Sequence, residues 1–178
     1  MARSHIKGSN FERKIARILS NTFKEYTGVE QAFTRNLSGS GAWFGGKNAY
    51  RVKRVAKKDL NTGDIVCPIN FKFTIECKHY KTAPTLASIL KGPIAQWDKW
   101  IDQVSSDAKS SGRDAMLIMK YNLTPILVAI TEQSANTHFP GIPPILRYID
   151  KKDTIWILYK LDFLITNTLP EQWFNTPQ

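Results

Sequence analysis

With 178 residues, 42% of them hydrophobic, and only two cysteines, the chain is long enough to close one core without disulfide or metal staples. No apolar run approaches the ~20 residues that a bilayer span requires, and the N-terminus lacks the apolar stretch of a secretion signal, so an intracellular protein that meets no membrane is expected. The net charge of +10 is one-sided: residues 1–81 hold 16 Lys/Arg against 6 Asp/Glu, whereas residues 82–178 hold 9 of each, a distribution that favours a polyanionic partner over an evenly basic inert surface.

The first predicted element is a helix capped by Ser9 or Asn10, with Phe11, Ile15, Ile18, Leu19 and Phe23 at spacings of three and four forming an apolar stripe. Glu12 sits at the edge of that stripe. It is either a first-turn carboxylate favoured by the helix dipole or a further metal or water ligand. A strand is expected over residues 31–37. A Gly-rich, aromatic and basic insertion follows at about 38–62, carrying Lys47, Arg51, Lys53, Arg54, Lys57 and Lys58 with no acid before Asp59. A solvated basic loop would have this composition too, but its direct lead into Asp64 favours a DNA-backbone contact.

Two strands come next, over residues 64–67 and 71–78, joined through Pro68, Ile69 and Asn70 as a hairpin. Alternation of Phe71, Phe73, Ile75 and Cys77 with Lys72, Thr74, Glu76 and Lys78 predicts a half-buried strand with Glu76 and Lys78 on one face. Asp64 should lie level with Ile75 and Glu76. Carboxylates so close repel unless a cation or a proton lies between them, and oxygen donors of this kind suit Mg²⁺ or Mn²⁺, with the Cys77 carbonyl as a further ligand. Lys78 would then orient or deprotonate a water and stabilise charge on a phosphate. Glu-x-Lys also occurs at Glu12-Arg13-Lys14, so the tripeptide alone equally describes a surface ion pair.

Further along, residues 93–104 read as a helix with Ile94, Trp97, Ile101 and Val104 in the core and Gln96 and Trp100 on the adjoining face. Gln96 is a surface amide or a group that holds a catalytic carboxylate. Residues 115–119 and 126–130 read as central strands joined by a turn, followed by a Pro-rich loop, a strand over 154–159 and a helix from about Asp162. Cys67 and Cys77 lack metal-site spacing and read as buried thiols; His5 and His138 have no partner at catalytic spacing, and His79, next to Lys78, should point to the opposite strand face.

The order Gly8-Ser9-Asn10-Phe11-Glu12-Arg13, Arg35, Ser38-Gly39-Ser40-Gly41, Gly63-Asp64-Ile65-Val66 and Ile75-Glu76-Cys77-Lys78 resembles the PD-(D/E)XK nuclease superfamily, and within it the archaeal-type and phage Holliday junction resolvases. The resemblance implies a single-domain, restriction-endonuclease-like α/β core over residues 1–178, a mixed sheet flanked by helices in αβββαβ order, with a C-terminal extension at about 131–178. It implies that Asp64, Glu76 and Glu12 serve the metal, Lys78 the attacking water, Arg13 and Arg35 the phosphates, and Ser40 a place beside the scissile strand. Gly63 stands where the superfamily usually has Pro, and about twenty residues separate Gly41 from Gly63 where compact resolvases have almost none.

The expected function is therefore a Mg²⁺- or Mn²⁺-dependent DNA endonuclease, structure-selective like a junction resolvase. A sequence-specific homing or restriction-like endonuclease of the same fold is the alternative; a DNA-binding module without catalysis would have no reason to keep paired carboxylates. Symmetric nicking implies a homodimer or higher oligomer, and Trp43, Phe44, Tyr50 and Trp100 could supply its contacts or stack on bases. Small size would suit a phage gene product.

Overall fold

The computed structural model describes residues 2–36 and 62–176, so Ser40, Trp43, Phe44, Lys47, Tyr50, Arg51, Lys53, Arg54, Lys57 and Lys58 lie outside the described residues. The first helix, α1 (Ala2–Thr22), is followed by the single turn α2 (Lys24–Thr27). As the spacing predicts, Phe11, Ile15, Leu19 and Phe23 are buried and Ile18 packs at their edge. The predicted caps are wrong, because Ser9 and Asn10 lie inside the helix. Capping is a local signal, whereas the early turns are tied down at a distance: the Lys7 ammonium donates to Asn122 Oδ1 at 2.9 Å.

Two short strands follow, β1 (Thr34–Arg35) and β2 (Ile65–Val66), paired antiparallel with Arg35 opposite Ile65. The main sheet begins with β3 (Phe73–Tyr80), passes through α3 (Leu86–Leu90) and α4 (Ala95–Ser111), and continues as β4 (Asp114–Tyr121) and β5 (Ile126–Thr131). Helix α5 (Glu132–His138), strands β6 (Leu146–Ile149) and β7 (Ile155–Lys160), and helices α6 (Leu161–Thr166) and α7 (Pro170–Trp173) complete it. The strand order is β3-β4-β5-β7-β6, with β3 and β4 parallel and every other pair antiparallel. This is the mixed α/β core that the sequence predicts.

Parallel pairing corrects the half-buried reading of β3. Parallel strands need a long crossover, and here the crossover carries α4, whose helix covers the face that alternation assigned to solvent. Thr74 and Glu76 are consequently buried along with Phe73 and Ile75. On the α1 side, Phe73, Ile75 and Cys77 pack with Met116, Ile118, Val128 and Ile130; on the α4 side, Trp97, Trp100, Ile101 and Val104 pack on Leu117, Met119 and Tyr121. Trp100, expected to supply dimer contacts or to stack on bases, is buried against Tyr80.

The predicted hairpin is also corrected. Phe71 N–H does bond Pro68 C=O at 3.0 Å, which closes the expected turn, but β2 ladders with β1 rather than with β3. The C-terminal segment occupies the backbone nearest that turn: Lys72 N–H donates to Trp173 C=O, Asn175 N–H to Asn70 C=O, and Phe71 bridges Phe174. Residues beyond 131 therefore build the far edge of the sheet and close the α1 side of the core, with Trp173 and Phe174 buried among Phe23, Phe71 and Phe139. Helix α5 escaped prediction because Glu132–His138 has almost no apolar periodicity, and β6 because it is a four-residue edge strand.

Candidate active site

Strand β3 is the edge of the five-stranded sheet, and alternate residues of an edge strand turn their backbone groups outward. On that edge Ile75 C=O accepts from Asp64 N–H at 2.8 Å, and Cys77 N–H donates to Asp64 Oδ2 at 2.8 Å. Asp64 is thus level with Ile75 and Glu76, as the sequence predicts, though the hairpin ladder is absent. By the same alternation Cys77 C=O shares the edge where the Asp64 carboxylate is fixed.

Gly63 makes this approach possible. Its φ is +67°, and a Cβ built on it would stand 2.5 Å from Ile75 O. Its N–H donates to Asp107 Oδ2 at 3.1 Å. Proline, whose φ is fixed near −65° and which has no N–H, cannot serve here, so Gly63 does more than shape a turn.

Glu76 is 1% exposed and its Oε1 is ion-paired with the Lys78 ammonium, which also donates to Gln103 Oε1 at 3.1 Å. Glu76 Oε2 is buried with no hydrogen-bond partner among the described residues. Burial first, and then the Asp64 charge, push the Glu76 carboxyl up to about 8. Asp64 is also raised, chiefly by burial, against the lowering effect of the Cys77 N–H and the Lys78 charge. For Lys78, burial works against the ammonium, but the Glu76 hydrogen bond and charge outweigh it and hold the group above its ordinary value. Lys78 is therefore a firmly protonated donor.

Glu12, expected beside the metal, is ion-paired with Arg35, and its charge is felt by Asp64. Among the described residues no three His, Cys, Asp or Glu side chains form a metal-ligand group. Gln96 makes no hydrogen bond to either carboxylate; the helix amide at the site is Gln103, two turns later. Sequence reasoning missed Gln103 and Asp107, although Gln96, Trp100, Gln103 and Asp107 follow at four, three and four on α4 and so share a face. His79 touches the Phe11 ring and belongs to the α1 side of the strand, away from the carboxylates. His138 pairs with Asp114 at 2.7 Å, and both cysteines are buried and not joined in a disulfide.

A divalent cation fits this site. The donors are hard oxygens, Glu76 Oε2 lacks a partner, and two raised carboxyls beside one another gain most from a positive charge between them. Asp64, Glu76 and the Cys77 carbonyl would hold it. A cation bound by one or two carboxylates that leaves its other positions to water and phosphate is ordinary for Mg²⁺, so a third side chain is not required.

An Asp and a Glu-x-Lys brought together on the edge of a mixed sheet, between helices, is the arrangement of the PD-(D/E)XK nucleases. The family model described as "Phage putative PDDEXK endonuclease" matches residues 3–173, nearly the whole chain, and the chain belongs to that family. It is therefore an endonuclease-family protein with DNA as the substrate class and a divalent metal implied in general. No curated protein and no solved structure gives a significant match. Among the described residues no helix is long and apolar enough to cross a membrane.

Proposed function

We propose that the chain is a Mg²⁺- or Mn²⁺-dependent DNA endonuclease that selects branched DNA in the manner of a junction resolvase. The observation that carries the nuclease reading is the orphaned Glu76 Oε2 beside Asp64, with Lys78 protonated next to it. A bound divalent cation supplies Lewis-acid polarisation of the phosphate and lowers the pKa of water. Lys78, anchored by Glu76 and Gln103, donates to the attacking water or to the phosphate oxygens and stabilises the charge that develops there. Water oxygen forms the new bond to phosphorus and releases a proton to solvent, the bond to the leaving sugar oxygen breaks, and that oxygen takes up a proton from solvent. Glu12 aims Arg35, which with Arg13 engages phosphates, and the basic residues Lys47, Arg51, Lys53, Arg54, Lys57 and Lys58, with Ser40, contact the backbone around the cut.

Support for junction selectivity is the order of motif residues, while the meeting of Glu12, Arg35 and the Asp64 segment supports the nuclease centre itself: Glu12 pairs with Arg35, Arg35 faces Ile65, and Asn36 N–H donates to Asp64 C=O at 2.8 Å. Two symmetric nicks would require a homodimer. Incubation with a four-way junction and a sequence-matched linear duplex, with and without Mg²⁺, tests the proposal. Paired nicks on the junction alone are expected. Equal cutting of both substrates would reject junction selectivity, and discrete sites on long duplex would establish a sequence-specific enzyme instead.

A further inference from the structure

On the flank of α1 beside Glu12, Arg13 and Arg17 are one turn apart, and Lys24 follows seven residues later across the joint with α2, spacings that line side chains along one side of a helix. Together with Asn21, Glu30 and Arg35 they line an open groove of about 490 Å³ between this flank and the chain entering β1. The groove has four cations and one acid. That acid, Glu30, is exposed and, among the described residues, is ion-paired with the Lys24 ammonium at 3.3 Å.

Arg13 to Lys24 covers about 16 Å along the helix at 1.5 Å per residue, too far for one small anion to bridge. An extended polyanion matches that length. The groove also ends at the candidate active site, because Arg35 lies in it, pairs with Glu12 and stands opposite Ile65, next to Asp64. Neither the motif resemblance nor the family description gives a role to Arg17 or Lys24.

We propose that this groove carries the sugar–phosphate backbone of the DNA strand flanking the scissile bond, with Arg17 and Lys24 contacting phosphates outside the catalytic centre. The inference rests on DNA being the substrate, and its test is binding rather than cleavage. The experiment measures affinity for a labelled duplex without divalent cation over about 50–200 mM salt. Each lost phosphate contact should flatten the plot of log affinity against log salt by about 0.9, so Arg17→Ala/Lys24→Ala should reduce the slope by about 2. The charge-matched pair Lys109→Ala/Lys160→Ala, at exposed positions on α4 and β7, should leave it unchanged. Glu30→Gln, which frees Lys24, should tighten binding, a gain that misfolding cannot imitate.

A groove variant with the wild-type slope and affinity, or no worse than the charge-matched pair, would overturn the proposal, as would weaker binding by Glu30→Gln. If wild type cuts DNA while the groove variant binds normally, the groove assignment alone fails. If wild type binds no DNA at all, the nuclease reading fails with it.

Discussion

Glu76 shows how one residue couples stability to function. Its carboxyl is raised from 4.5 to about 8, so between those values the folded protein holds a proton that the unfolded chain releases. Without divalent metal, its contribution to stability is fully present below about 4.5 and is lost as pH rises through about 8. Thermal melts in chelator should fall across that window, and Mg²⁺ should restore the melting temperature most at its alkaline end. Glu76→Gln, which keeps the shape and loses the charge, should flatten the metal-free pH profile while abolishing cleavage. Lys78→Ala should lower cleavage by about 10²-fold or more, since it removes the fixed positive charge beside the reacting phosphate. A melt of Lys78→Ala within a few degrees of wild type would confirm that the loss is chemical.

At the scale of elements, Gly63 lets the Asp64 segment reach the β3 edge, and the C-terminal segment packs where that strand begins. Gly63→Ala forces a side chain into Ile75 O at a positive φ, so the Asp64 segment must move off the β3 edge. Both metal affinity, read by Mg²⁺ calorimetry, and cleavage should fall together. Trp173→Ala removes a fully buried indole from the cluster above β3 and should destabilise the protein by about 3–5 kcal/mol in denaturant unfolding. The same elements show which parts of the structure were legible in the sequence. Alternation over Phe73–Tyr80 fixes which side chains share a face, and the α1 stripe follows from spacing alone. That both faces of β3 are covered depends on its parallel partner β4, about forty residues later, which no local pattern names. Periodicity on α4 marks the face that meets the site, but whether Gln96 or Gln103 reaches Lys78 depends on how far the helix slides along β3. The need for Gly63 arises from a contact with Ile75, so the sequence shows the glycine and hides its reason.

For the whole molecule, the uneven charge now has a structural setting. Arg13, Arg17, Lys24 and Arg35 line one groove along α1, and Arg35 pairs with Glu12, whose charge Asp64 feels. A basic approach surface and an acidic catalytic pair are compatible when a divalent cation sits between carboxylates and phosphate. Asp64, Glu76 and Lys78 are proposed to form that centre. Its most direct test follows cleavage of four-way-junction and linear DNA against Mg²⁺ concentration, using wild type and Glu76→Gln at equal folded concentration. We predict Mg²⁺-dependent cutting by wild type and none by Glu76→Gln at any Mg²⁺ level; cutting by Glu76→Gln at the wild-type rate would contradict the account.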